Sequence, residues 1–440
     1  MLKNQLFNPV FSELSPSSTL YINETVNAKW SQGEQVFHMG FGESRFDVHP
    51  ILQRALAQHA DKKSYLPARG LPPLCEQVAT YYQTKLGIEF GAPQVMVGPG
   101  SKLLIYGLQT ILDADLFLPT PSWVSYAPQA TILGRRAHYI SADIQDDYRL
   151  HPGALEEALL ASDNPNKLLL LNSPNNPSGG ALDAGLLQEV AGICRANDVI
   201  VLSDEIYFQL CFNRDSHISI ASYYPEGTAV LGGLSKHLSL GGWRLGVALM
   251  PGSPLGEELM QRMVVFASET WSSVAAPVQY AALQAYGLSD EIEDYVRDCC
   301  NIHAIRTRHI RRGLQALGIH CCPVEGAFYI AANFDEFRAG LARKGVHTSS
   351  DLSRYLLQKH AIASLPGIDF GIAEQQLTLR LSTSYLDMES AADPDRIYQL
   401  YRRGADDEQL MAQQHHPVTA AALSTFAEFI ASLEGDEQKL

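Results

Sequence analysis

The chain has 440 residues, 46% of them hydrophobic and 18% charged, with a formal net charge of −15. That size and composition suit a globular protein with a sizeable core, at roughly 100–200 residues per domain. The acidic balance argues against binding nucleic acid or an anionic membrane surface. No apolar run is long enough to span a bilayer, and the start Met1-Leu2-Lys3-Asn4-Gln5 lacks the apolar core of a signal peptide. Seven cysteines without a C-x-x-C spacing fit reduced thiols in the cytoplasm better than a disulfide framework.

In chain order, short apolar runs predict strands at Gln94-Gly98, Leu116-Pro119, His138-Ser141, Lys167-Leu171, Val199-Ser203, Ala229-Gly232 and Leu245-Leu249. Helical patterns lie between most of them, notably Leu103-Leu112, Leu182-Ala196 and Leu255-Ala267. Strands alternating with helices predict a mostly parallel sheet covered on both faces. A long helical pattern, Asp290-Leu317, leads to a mixed segment with strands Gly326-Ala331 and Leu377-Leu381 and helices Ser349-Lys359 and Pro394-Arg403. After a polar stretch from Gly404, apolar residues Ala420, Leu423, Phe426, Ile430 and Leu433 recur at helical spacing over 418–434. Such a helix docks on its own body or on a dimer partner, or else recruits another protein. His415-His416 on a polar segment is a weak metal motif, and no metal site is expected.

Four of the turns carry chemistry. Val97-Gly98-Pro99-Gly100-Ser101-Lys102 opens a helix, where free backbone amides can bind phosphate. Asn172-Ser173-Pro174-Asn175-Asn176-Pro177-Ser178-Gly179-Gly180 is a tight turn leaving a strand. Ser203-Asp204-Glu205-Ile206-Tyr207 delivers an acid and a phenol to a strand's carboxyl end, where open α/β sheets bind ligands. Ser235-Lys236, followed across a glycine turn by Arg244, offers an amine for an aldehyde and a guanidinium for a phosphate. One loop can therefore anchor both ends of pyridoxal phosphate. An aspartate at 204 suits the pyridine nitrogen, keeping it protonated so that the ring accepts electrons. Arg380 lies in the alternating segment Gln376-Ser382, and its planar fork fits a carboxylate.

These segments together resemble the class I/II aminotransferases of pyridoxal-phosphate fold type I. The matching signatures are Tyr65-Leu66-Pro67-Ala68-Arg69-Gly70-Leu71, Gly100-Ser101-Lys102, Pro119 to Tyr126, Asn176-Pro177-Ser178-Gly179, Asp204-Glu205-Ile206-Tyr207, the Lys236 to Arg244 loop and Arg380-Leu381-Ser382. They stand in the family's order over roughly positions 35 to 400. The resemblance implies an α/β fold with a large domain, built on a mostly parallel seven-stranded sheet covered by helices, and a smaller α+β domain. The expected division is an N-terminal arm over 1–48, a cofactor domain over 49–290, a small domain over 291–403 and a linker with C-terminal helix over 404–440.

The resemblance also implies roles. Lys236 captures the cofactor aldehyde and later moves the substrate proton. Trp123 stacks on the ring, while Asn176 and Tyr207 reach its 3-oxygen. Gly100, Ser101, Lys102 and Arg244 surround the phosphate. Arg380, with Gly42 and Asn176, receives the substrate. Tyr65 reaches the cofactor of a neighbouring subunit, which implies a homodimer with shared sites. Three departures stand out. Gly233 replaces a serine that often contacts phosphate, leaving Ser235 as a substitute donor. The turn after the phosphate helix is shortened to Asp113-Ala114-Asp115. Gly42-Glu43-Ser44-Arg45-Phe46 carries Ser44 and Arg45 where the family usually has Pro and Asp. Arg45 is either a solvated cation or a receptor for a side-chain carboxylate.

The expected activity is ping-pong transamination between an L-amino acid and a 2-oxo acid. The same scaffold also supports elimination at a C–S bond, which is the alternative reading. A pyridoxal-phosphate-sensing regulator would carry an added helix-turn-helix domain, and fewer than fifty residues precede the family-like segment.

Overall fold

The computed structural model describes residues 6–213 and 217–434. Its largest sheet has seven strands: β1 (Val95–Gly98), β2 (Asp115–Pro119), β3 (Ala137–Ile140), β4 (Lys167–Asn172), β5 (Ile200–Asp204), β6 (Thr228–Gly233) and β7 (Gly246–Leu249). Their spatial order is β1-β7-β6-β5-β4-β2-β3, and only β7 runs antiparallel to its neighbours. Alternation along the strands splits the core between two faces. Leu168, Leu170 and Leu202 join one apolar cluster, with Leu104 and Met263 from helices. Leu169, Leu171 and Val201 join the opposite cluster, with Leu186 and Val190. Helices on both faces explain why these strands read as continuous apolar runs.

A second sheet is antiparallel, in the order β10-β11-β9-β8, from β8 (His320–Cys321), β9 (Tyr329–Asn333), β10 (Leu365–Pro366) and β11 (Thr378–Ser382). The helix α2 (Asp290–Ala316), 27 residues and roughly 40 Å long, joins the two regions. Ile292, Val296 and Ile302 pack in the large core, whereas Ile310 and Leu314 pack in the second. No helix among the described residues is long and apolar enough to cross a membrane.

The expected elements form, with shifted ends. The helix expected from Leu182 starts at Ala184, because the Asp183 side chain caps it by accepting from the Leu186 amide at 2.9 Å. The strand expected from Gly326 starts at Tyr329. Gly326 instead bridges to Cys211, and Ala327 takes a left-handed conformation at φ 59. In the C-terminal helix α3 (Pro417–Glu434), the expected Phe426, Ile430 and Leu433 are buried and Leu423 packs beside them half-buried, while Ala422 and Phe429 complete the buried stripe in place of Ala420. It packs in the second core, with Phe426 and Phe429 each beside Phe334. The Asp387 carboxylate caps its start, accepting from the Val418 amide at 2.7 Å and the Thr419 amide at 3.0 Å. The helix therefore docks on its own chain. Phe426→Ala should cost roughly 3–5 kcal/mol, read as a lowered denaturant midpoint at unchanged helix content. A loss under about 1 kcal/mol would mean that α3 is not an integral part of the core.

Candidate active site

The carboxyl ends of β4 and β5 open into a cavity of about 400 Å³. Asp204, the last residue of β5, is buried at 3% exposure. Its carboxylate accepts from the Tyr126 hydroxyl at 2.7 Å and the Ile206 amide at 3.2 Å. Burial pushes its pKa up to about 6, against the downward pull of these donors and of Lys236. Asn172, at the end of β4, donates to the Asp204 carbonyl at 2.8 Å and accepts from the Asn176 amide at 2.8 Å. This fixes the Asn176 turn against β5. The Asn176 side-chain oxygen is buried and has no hydrogen-bond partner.

Tyr207 follows Asp204 by one tight turn. Its hydroxyl lies 2.9 Å from the Tyr329 hydroxyl, and burial, then the Tyr329 phenol, pushes its pKa well above the ordinary range. Lys236 Nζ donates to the Gly42 carbonyl at 2.8 Å and sits over the Tyr207 and Phe328 rings. Trp123 forms another wall, with Lys102 Nζ 5.2 Å from its ring centre.

The cationic end of the cavity is built by close backbone approach. Gly100, at φ +85, precedes the helix α1 (Ser101–Ile111). A side chain at 100 would lie 2.3 Å from Arg244 Nη2, so glycine leaves room for the guanidinium. Arg244 is itself left-handed at φ 52 and donates to the Gly241 carbonyl at 2.8 Å. A Cβ at Gly246 would meet the Ser101 amide nitrogen at 2.3 Å. At Gly233 a Cβ would meet the Leu245 carbonyl oxygen at 2.8 Å, which accounts for the missing serine there. Ser235 lines the cavity instead.

Arg380, in β11, is 1% exposed. It donates to the Gly40 carbonyl and lies over the Tyr329 and Phe370 rings, at 4.9 and 5.5 Å. Its Nε is buried without a partner. Burial lowers its pKa from the ordinary arginine value.

The cavity thus gathers Gly42, Ser101, Lys102, Trp123, Asn176, Asp204, Tyr207, Ser235, Lys236, Arg244 and Arg380, with Gly100 against Arg244. Tyr65 does not line it and is 89% exposed. Sequence reasoning gave no role to Tyr126, Asn172 or Tyr329. Tyr126 and Asn172 stand inside the sequence motifs, but nothing local marks Tyr329. Glu43 also lines the cavity; its carboxylate accepts from the Tyr385 hydroxyl at 3.0 Å and from Arg45 at 3.3 Å. Arg45 is therefore a paired, half-buried cation stacked 4.9 Å over the Tyr385 ring. Among the described residues, the metal-capable grouping is Asp147, His320 and Cys322, none of which lines this cavity.

Residues 34–392 match the family described as aminotransferase class I and II. Aspartate aminotransferase from Geobacillus stearothermophilus is 31% identical over 392 residues, covering 87% of this chain and 96% of that one. Aspartate aminotransferase from Bacillus subtilis (strain 168) is 30% identical, with the same coverage. Among solved structures, aspartate aminotransferase from Thermus thermophilus with maleate superposes with a TM-score of 0.80 at 24% identity, covering 96% of this chain and 99% of that one. It shares the fold. The chain belongs to the class I and II aminotransferases, enzymes that use pyridoxal phosphate, and it is a transaminase acting on amino and oxo acids.

The raised pKa of Asp204 has a testable sign. The folded state holds this proton more tightly than the unfolded chain, where the value is about 3.9. Stability from this group is therefore present below about pH 4 and is lost as pH rises through about 6. In cofactor-free protein, Asp204→Asn should gain stability over wild type between pH 4.5 and 8, by up to about 3 kcal/mol. Parallel urea-unfolding curves for the two proteins across that range would refute the raised pKa of this buried carboxylate.

Proposed function

We propose that this cavity holds pyridoxal phosphate and that Lys236 is the amine that bonds its aldehyde. The residues present fit the group. The amides at the start of α1, with Arg244 and Lys102, suit a dianionic phosphate. Trp123 offers a flat apolar wall, and the Asn176 side-chain amide N–H and the Tyr207 hydroxyl are the donors for the ring's 3-oxygen. The observation that carries the reading is one cavity holding an amine, a buried acid and a phosphate-sized cationic end: Lys236, Asp204 and Arg244.

Bound there, the pyridine ring supplies a sink for the electron pair of the substrate's α C–H bond. Asp204 keeps the ring nitrogen protonated, and its ionised form is favoured once a cation faces it. Arg380 binds the substrate α-carboxylate, which satisfies its buried, unpartnered Nε. Lys236 Nζ would hold and move the substrate α-proton, as base and then acid. Water would supply the oxygen of the departing 2-oxo acid while the amino group stays with the cofactor, and a second 2-oxo acid would take that group up.

Tyr65, exposed and outside the cavity of its own chain, serves the neighbouring subunit's site in a homodimer. The seven cysteines are buried and form no disulfide, which supports a reducing compartment, the cytoplasm. Because the similar relatives are aspartate aminotransferases, aspartate with a dicarboxylic 2-oxo acid is the first pair to assay.

Borohydride reduction of the loaded enzyme should place the pyridoxyl mass on the peptide containing Lys236; a tag on any other peptide sinks the assignment. With amino acid alone, each site should release about one equivalent of 2-oxo acid and no ammonia, whereas an eliminating enzyme releases ammonia continuously. Arg380→Ala should raise KM for the amino acid by roughly 10–100-fold, as a charge-assisted pair is lost. Asp204→Ala should keep its fold and lose most turnover; wild-type rates would remove Asp204 from the site.

A further inference from the structure

Lys236 is held by a loop whose shape is not regular secondary structure. Three residues on, Ser239 sits in a left-handed conformation at φ 57, strained for a residue with a side chain. Something outside the loop must hold it there. The Ser239 hydroxyl donates to the Ser44 hydroxyl at 2.8 Å. The Ser44 oxygen lies 3.1 Å from His303 Nε2, inside the protein. Ser44 is 4% exposed and His303 1%. His303 sits on the rigid helix α2, with its ring against Phe46 and Phe328, both at 5.1 Å. Phe328 is also one of the rings beneath Lys236 Nζ.

Ser239 donates to Ser44, and a second hydrogen bond joins the Ser44 oxygen to His303 Nε2. The other ring nitrogen, Nδ1, is buried without a partner. Burial, then the nearby Arg306 charge, holds the His303 pKa down to about 3, so the ring is neutral at working pH. The same segment is stitched a second time, since Lys236 Nζ donates to the carbonyl of Gly42, two residues before Ser44.

We infer that Ser44 is a positioning residue for the lysine loop: it links Ser239 to His303 and thereby fixes where Lys236 Nζ stands relative to the substrate. The position is one where the family pattern usually has proline, which carries no hydroxyl. The inference rests on Lys236 being the reactive amine, but the relay itself can be tested without that chemistry.

In the full-length, cofactor-free protein, Ser44→Ala and Ser239→Ala should each speed backbone amide exchange over residues 234–244. The double variant should be no faster than either single one, because both remove the same link. In the loaded enzyme, Ser44→Ala should lower kcat about 5-fold, the worth of one neutral hydrogen bond, and leave KM for the amino acid unchanged, since Arg380 is untouched. Ser44→Thr, which keeps the hydroxyl, should restore both exchange and kcat. Additive exchange effects in the double variant, or unchanged exchange in Ser44→Ala, overturn the relay. Altered exchange with kcat unchanged shows a structural link that does not position the amine, and so overturns the inference while leaving the role of Lys236 intact. Failure of Ser44→Thr to rescue, with Ser44→Ala soluble and folded, also overturns it.

Discussion

A carboxylate buried at the end of a central strand is the constraint around which this molecule is arranged. Asp204 ends a central strand of the seven-stranded sheet and is 3% exposed, so water solvates it poorly. Two protein donors reach it, the Tyr126 phenol and the Ile206 amide, and they do not offset its burial fully. A buried acid left in this condition favours a cation facing it across the cavity. The neighbouring strand end is locked to the same point through Asn172, so the Asn176 turn is set by the position of β5. Moving Asp204 would move the acid, the phenol at Tyr207 and the amide at Asn176 together.

Charge is distributed against the overall balance of the chain. The protein carries −15 formally, yet Lys102, Lys236, Arg244 and Arg380 converge on one cavity. Arg380 is fully buried and, among the described residues, has no ion-pair partner. Carbonyl and aromatic contacts hold it in place without neutralising it. Arg380, the fully buried one of the four, is costly to hold charged unless an anion faces it. A phosphate at one end and a carboxylate at the other match this pattern, which is the electrostatic form that the transaminase family's chemistry requires. Two acids also line the cavity, Asp204 and Glu43, and the chain pairs Glu43 internally with Arg45 and a phenol. Arg45 is thereby committed to a partner within its own segment.

Much of this was legible in the sequence because each chemical group sits in a short turn directly after a strand. A strand end followed by Asp204 and Tyr207, or by Asn176, is a local pattern, and local patterns survive in a one-dimensional reading. Lys236 and Arg244 are eight positions apart on one loop, so their place in one cavity was also a local matter. The glycine at 100 was legible as a turn, but its steric reason, the Arg244 guanidinium, was not. The C-terminal helix was legible as amphipathic. Its full buried stripe was not, since Phe429 becomes a core residue only by meeting Phe334 and Tyr355.

The sequence by itself determined the order of elements, the fold class and the family, because these depend on residue type and near-neighbour spacing. Tertiary structure alone decided who partners whom. Tyr126 meets Asp204 across 78 positions, Tyr207 meets Tyr329 across 122, and the Ser239–Ser44–His303 chain closes separations of 195 and 259. Such contacts carry no periodic signature. They exist because packed strands and helices bring distant side chains within 3 Å or so, and a buried polar atom must take whatever partner that packing supplies.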